Sequence, residues 1–519
     1  MFPSRDARPP SVRDDIFAWG ATMYMLATGT RPFAVTGARS PLARRRPHLA
    51  DVRPDLPSHT SDWIERALSI TAGLGYSSMR GLLHRARRHP SRSTRGRPAP
   101  GTRKTAEFSA DTSWAGLART TADALCQAAE PREGGLAWAV AREGGQRTSY
   151  PDAIYSGAAG IALFLASGHD VTGDETCRDV VHGAARWLSS AEWGHGSRLC
   201  GLHVGEAGIG HFYLVIADLL GVPGYLEMAQ LRARRLDGVE PVTLDLVGGA
   251  AGLLLFLQEL HDATSDSTFG RAALELSNEV LARSEATDAG LYWEVPDGWP
   301  GGATHSYLGL LHGAAGIGLA LLTVGVRQRE RQLIDAAAQV GDQLLSCARL
   351  DLDTEHSALT WTWPLCLGDP TPTLSRHCHG GGGISQFLIR LWLARGDCRF
   401  LGAAVGAAET VASRDPAHSS LCHGLAGDGM LFLDLYQATG DERWRARATG
   451  VARRLAGHQG PEPGGWRGSA EQEGSPGLMT GDAGVGAFLL RLSHAEDRPD
   501  LLLPSIDLFR NAPPLVART

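Results

Sequence analysis

At 519 residues the chain exceeds one ordinary domain, and with 43% apolar residues it has the material for a large core. A net charge of −6 and a pI near 6.3 exclude a protein that holds nucleic acid by bulk positive charge. No basic segment followed by an apolar stretch opens the chain, and no apolar run approaches the roughly 20 residues of a membrane span. A soluble, cytoplasmic protein with no membrane partner is therefore expected. The eight cysteines (126, 177, 200, 347, 366, 378, 398 and 422) are sparse for this length. Under reducing conditions they point to structure, metal binding or catalysis rather than to disulfides.

Residues 11–34 carry apolar residues at helical spacing, Ile16, Trp19, Met23 and Leu26, with Asp14 or Asp15 as cap and Gly29 as stop. The run Asp15-Ile16-Phe17-Ala18-Trp19-Gly20 and the closing Gly29-Thr30-Arg31-Pro32-Phe33 resemble the helix after the activation segment of eukaryotic-type protein kinases. Residues 51–84 resemble the last kinase helices. The resemblance implies a truncated kinase-like fragment over residues 1–85. No Gly-rich phosphate loop, strand lysine, His-Arg-Asp loop or Asp-Phe-Gly metal site accompanies it, so kinase activity is not expected. Residues 86–107 are rich in Arg, Pro, Ser and Gly, which reads as a flexible basic linker, or as a docking arm for an acidic partner.

From about 108 to 505 one pattern recurs: a Gly-x-x-Gly pair that runs into an apolar helix. The first glycines are 157, 205, 249, 313, 380, 424 and 481, so successive gaps are 48, 44, 64, 67, 44 and 57. Each gap accommodates about two helices. Amphipathic runs such as Cys177–Ser189, Arg271–Glu285 and Leu333–Leu345 supply the second of each pair, with Asp174 as a cap for the first of these runs. Seven such repeats without polar terminal caps predict a closed ring rather than an open stack. The expected fold is all-α: an α/α toroid of seven helix pairs, with all seven glycine turns on one face. Residues 506–519 read as a C-terminal tail.

The turns that depart from the bland pattern carry the chemistry. Cys378-His379-Gly380 and Cys422-His423-Gly424 place soft ligands at matching repeat positions. Cys378, Cys422 and His423 make a three-ligand set of the kind that binds Zn2+ with a fourth position open. The bland reading makes both cysteines small buried residues at crowded turns, and His379 is either an alternative ligand or a pocket lining. Two thiolates and one imidazole make an electron-rich centre suited to thiol alkylation or addition rather than hydrolysis. His312, just before Gly313, is a general acid/base candidate or a histidine satisfied at a helix start. Asp245 is a helix cap or a carboxylate that orients His312. His203 reads as a turn residue.

Together, His312-Gly313, Cys378-x-Gly380 and Cys422-His423-Gly424 resemble the lanthionine synthetase C-like family over about residues 108–505. The resemblance implies an α/α toroid, zinc on Cys378, Cys422 and His423, His312 as acid/base and Asp245 as its carboxylate. It implies Michael addition of a peptide cysteine to dehydroalanine or dehydrobutyrine, giving a thioether ring. The substrate implied is a dehydrated precursor peptide, with dehydration supplied by separate lyase and kinase proteins. In the nisin-type members a Trp precedes the first zinc cysteine and a Tyr follows it, where this chain has His377 and His379. Their Arg four residues earlier is Leu374 here, which leaves Arg376 as the candidate to stabilise an enolate oxygen. Two other readings stand beside the cyclase. One is a zinc-thiolate enzyme that adds glutathione to dehydroamino acids in proteins. The other is a non-catalytic scaffold for a split synthetase.

Overall fold

The computed structural model describes residues 113–139, 151–190, 199–294, 305–353, 358–369, 371, 375–414, 418–460, 465–466, 475–496 and 498–510, together with residues 20, 22–25, 49, 64 and 67. The chain divides into two compact units, Met1–Lys104 and Thr105–Thr519. In the first unit Gly20, Thr22–Met25, Leu49, Ile64 and Ala67 lie in helix. The rest of the kinase-like reading of 1–85, and the linker at 86–107, fall outside the described residues.

The second unit is built from helices in two classes. One class is apolar on every side: α2 (Ala158–Thr172), α4 (Glu206–Leu219), α6 (Ala250–Thr264), α8 (Ala314–Gln328), α10 (Gly381–Arg395), α12 (Leu425–Thr439) and α14 (Asp482–Ser493). In α8 every residue from Ala314 to Val326 is buried, as a helix with neighbours all round requires. The other class is amphipathic: α1 (Trp114–Gln127), α3 (Glu175–Ser190), α5 (Pro223–Arg235), α7 (Ser267–Ala282), α9 (Arg331–Cys347), α11 (Cys398–Ser413) and α13 (Glu442–Ala456). In α9 Leu333, Ile334, Ala337, Val340, Gly341 and Leu344 form the buried stripe. The Asp174 carboxylate accepts from Thr176 N–H at the start of α3, as expected (2.9 Å). The run expected to continue to Glu285 ends instead at Ala282, because Glu285 pairs with Tyr292 in a short hairpin.

Each apolar helix packs on the next in sequence, and α14 returns to pack on α2, so the inner layer is a closed ring of seven. Amphipathic helices form the outer layer. Six pair with the inner helix that precedes them, and the seventh, α1, comes from the N-terminal side of the unit and packs on α14. The ring is thus sealed by a helix that lies before the first glycine turn. Three antiparallel hairpins, β1–β2 (Glu130–Arg132 and Gly135–Ala137), β3–β4 (Glu285–Ala286 and Leu291–Tyr292) and β5–β6 (Arg349–Asp353 and Ala358–Thr362), decorate it. A short helix, α15 (Ile506–Arg510), packs on α10 and α12.

All seven first glycines are N-caps of inner helices. The turns before them are stitched into a collar by backbone hydrogen bonds. Tyr155 N–H donates to His203 O (2.9 Å), His203 N–H to Val247 O (3.1 Å), and Leu246 N–H to Leu311 O (3.1 Å). Leu311 N–H donates to Cys378 O (3.2 Å), Cys378 N–H to Cys422 O (3.4 Å), Cys422 N–H to Met479 O (2.8 Å), and Met479 N–H to Tyr155 O (2.8 Å). The second glycine of each pair lets its turn fold closely onto the start of its own helix. A Cβ on Gly383 or Gly427 would overlap the carbonyl oxygen of His377 or Leu421.

Further glycines let aromatic rings cross between inner helices. Gly210 faces the Phe256 ring, Gly318 the Phe387 ring, Gly429 the Phe488 ring and, across the seam, Gly486 the Phe164 ring. All four rings are fully buried. Gly429→Ala should therefore destabilise the protein by about 1–3 kcal/mol, the range for an extra methyl group in a filled core. Chemical denaturation of the variant beside wild type measures it.

A buried ionic cluster ties the C-terminal segment to the ring. Asp434 accepts from Arg390 Nη1 and Arg491 Nη2, both at 2.7 Å, and Arg390 Nε donates to Pro504 O (2.8 Å). His211 on α4 faces Glu259 Oε2 through Nδ1 (2.7 Å) and Leu501 O through Nε2 (2.9 Å). Burial disfavours the charged ring, but the Glu259 carboxylate and the Leu501 carbonyl outweigh it and raise the imidazole above its ordinary value of 6.5. The stability this adds is complete below about pH 6.5 and is lost as pH rises through the raised value. The melting-temperature gap between wild type and His211→Gln should accordingly be wide at pH 6 and narrow at pH 9.

Candidate metal centre

The collar brings the fifth and sixth turns side by side, and with them Cys378, Cys422 and His423. Their donor atoms all lie within 4.8 Å of one another. Cys422 Sγ is 3.6 Å from His423 Nε2. Both cysteines are buried, whereas His423 is half-buried. The two thiols face one another. Their mutual hydrogen bond pulls Cys378 well below the ordinary thiol range and pushes Cys422 well above it. A tetrahedral zinc with bonds of about 2.3 Å to sulfur and about 2.0–2.1 Å to nitrogen sets such atoms about 3.6 Å apart. The donor set and its spacing fit that ion, with a fourth corner free.

Beside this cluster stands a carboxylate–imidazole pair. Asp245 Oδ2 lies 2.9 Å from His312 Nδ1. The other carboxylate oxygen accepts from Gly248 N–H (2.9 Å) and Thr243 Oγ1 (3.1 Å), which fixes its plane. Asp245 does not cap α6, whose N-cap is Gly249. It buttresses its own turn and orients the histidine of the next. A carboxylate at Nδ1 selects the tautomer protonated there, which leaves Nε2 as the open nitrogen. The His312 side chain keeps 27% of its exposure.

His379 joins the two groups. Its ring stacks on His312 (centroids 5.3 Å apart, planes 19° apart) and tilts against Tyr307 (5.7 Å). Burial lowers its imidazole below the ordinary value. Arg376 N–H donates to His379 O (2.9 Å), and among the described residues the Arg376 guanidinium has no acceptor. Its charge nonetheless acts on both His379 and Cys422. Cys378, Cys422, His423, His312, Asp245 and His379 thus converge, with Arg376 at their edge. Leu374 lies outside the described residues.

Two residues of the site carried no site reading in the sequence. Tyr155 donates its hydroxyl to Cys422 Sγ at 3.2 Å. His203 is buried edge-on to Tyr155 (6.4 Å), and burial holds its imidazole down at about 3. Both stand two residues before a first glycine, the register that Cys378 and Cys422 also occupy, and that shared register is the signal that finds them.

A closed ring of helix pairs with a Cys–Cys–His cluster and an Asp–His pair on its turn face defines a class of toroidal proteins whose soft donors could hold a metal ion. The family model described as lanthionine synthetase C-like protein matches residues 148–508. The chain belongs to that family. Among solved structures, nisin cyclase is similar, with a TM-score of 0.51 and 17% identity over 66% of this chain and 89% of that one, which establishes the shared fold. A GH76 alpha-mannanase from Bacteroides thetaiotaomicron matches at TM-score 0.42 and 11% identity, over 74% of this chain and 96% of that one. Cellobiose 2-epimerase from Bacillus thermoamylovorans matches at TM-score 0.41 and 11% identity, over 73% and 99%. Among the described residues no helix is long and apolar enough to cross a membrane.

Proposed function

We propose that this chain is a zinc-dependent lanthipeptide cyclase that closes thioether rings in a dehydrated precursor peptide. The observation that carries the reading is the placement of three soft donors beside an oriented Asp–His pair on one open face. Cys378, Cys422 and His423 would hold Zn2+. When bound, the ion keeps an incoming cysteine sulfur in its thiolate form at neutral pH while leaving it nucleophilic.

The remaining steps belong to the chain's own groups. In the reaction the peptide sulfur bonds to the β-carbon of dehydroalanine or dehydrobutyrine, and the alkene π pair becomes an enolate. His312 Nε2 delivers a proton to the α-carbon, having taken one when the thiol was deprotonated, so protons balance over the cycle. Asp245 holds Nδ1–H and steadies the imidazolium between those two transfers. His379, stacked parallel on His312, limits rotation of that ring. Arg376 faces no acceptor among the described residues, which leaves its charge for the enolate oxygen.

The test pairs metal analysis with a dehydrated, cysteine-containing peptide. One zinc per chain, and zinc-dependent loss of free thiol with unchanged peptide mass, are expected, because ring closure is an isomerisation. Thiol loss that requires added glutathione, with its mass gained, would favour the glutathione-transfer reading instead. A fully folded metal-free protein that consumes no thiol would overturn both.

A further inference from the structure

The Tyr155 hydroxyl touches the candidate centre from the far side of the seam. It donates to Cys422 Sγ at 3.2 Å although the two residues are 267 positions apart. The seventh turn lies between them in the collar: Cys422 N–H donates to Met479 O, and Met479 N–H to Tyr155 O. Tyr155 and Cys422 are therefore brought together by closure of the ring itself. Cys422 has no solvent exposure, so water does not solvate its sulfur. A buried thiolate needs a donor, and a hydrogen bond to a charged acceptor is among the stronger kinds.

We propose that Tyr155 is a positioning residue of the metal centre, whose hydroxyl aims the Cys422 sulfur and withdraws part of its charge. This rests on the reading of Cys378, Cys422 and His423 as metal ligands. The demand for such a donor follows from the charge count. Two ligand thiolates and one substrate thiolate give a divalent ion a net negative charge, and each added thiolate repels the next. A hydrogen bond into Cys422 lowers its donation and leaves the ion better able to accept the substrate sulfur. Outer-shell partners of this kind orient ligands and tune the metal. No bond forms or breaks at Tyr155, and its phenol stays protonated throughout.

The experiment uses full-length protein loaded with Co2+ and, separately, with Zn2+. Tyr155→Phe keeps the ring, the collar backbone and the buried packing, and removes one hydroxyl. In the cobalt protein its sulfur-to-metal charge-transfer band should move to longer wavelength, because the unbonded thiolate holds its electrons less tightly. Zinc affinity should fall roughly tenfold, at the lower end for outer-shell changes. The KM for the peptide should rise more than kcat falls. A variant with the wild-type band and wild-type zinc affinity would overturn the proposal. If Tyr155→Phe does not fold, wild-type sequence grown with 3-fluorotyrosine supplies a stronger donor at the same place, and its band should move to shorter wavelength; an unmoved band would equally overturn it. A wild-type chain that takes up neither metal removes the ligand reading and this proposal with it. A wild-type chain with metal but an unmoved band in Tyr155→Phe removes this proposal alone.

Discussion

Cys422→Ala should leave the protein folded, strip it of zinc and stop thioether formation. The collar links at this position run through the backbone, Cys422 N–H to Met479 O and Cys378 N–H to Cys422 O, so alanine preserves them. The lost side chain is small, and its neighbours Tyr155 and Cys378 remain in place. The cost falls on the metal. Four-ligand zinc sites bind with about 10–16 kcal/mol, so one of three protein ligands contributes several kcal/mol, and affinity should drop by roughly 10³-fold or more. Metal analysis after dialysis, beside circular dichroism, reads both halves of this expectation. Stoichiometric zinc in the folded variant would remove Cys422 from the ligand set. Zinc lost together with the fold would mean that the centre is a structural clamp between the fifth and sixth turns instead of a reaction site.

The ring was legible because its physics is local. A glycine that must accept a turn carbonyl at van der Waals contact cannot be replaced, so seven Gly-x-x-Gly pairs survive as a readable period, and each first glycine is indeed an N-cap. The Cys-His-Gly strings were legible for the same reason, since they ride on that period. What was hidden depends on closure. Helix α1 shares no glycine turn with the inner helix it covers, so nothing in its own sequence marks it as the seventh outer helix. Tyr155 looks like any turn aromatic until α14 meets α2 and sets its hydroxyl against Cys422. Asp245 stood as either cap or orienter because both use a carboxylate at a turn; its 2.9 Å contact is to His312, a residue of the next turn, which is the pairing the orienter reading requires. The glycine–phenylalanine pairs lie between. Gly318 and Phe387 each sit at a fixed offset from their own first glycine, but the pairing of one with the other appears once the inner helices are neighbours.

His312→Ala should separate binding from turnover. The histidine is no member of the donor cluster, so the variant should hold zinc as wild type does. Loss of a positioned acid/base group removes about 10²–10⁴-fold of rate, and kcat for ring closure should fall by that factor. Asp245→Asn tests the orientation half of the argument. An amide at this position presents N–H as readily as oxygen to His312 Nδ1, and the imidazole then carries its proton on Nε2, the wrong nitrogen for taking a proton from the thiol. Gly248 N–H and Thr243 Oγ1 still find the remaining amide oxygen, so the turn is preserved. Activity should fall in Asp245→Asn by less than in His312→Ala, and the double variant should be no slower than His312→Ala, because the carboxylate acts through the imidazole. Additive losses in the double variant would give Asp245 a role of its own. Zinc lost from His312→Ala would move that residue from proton transfer to the metal.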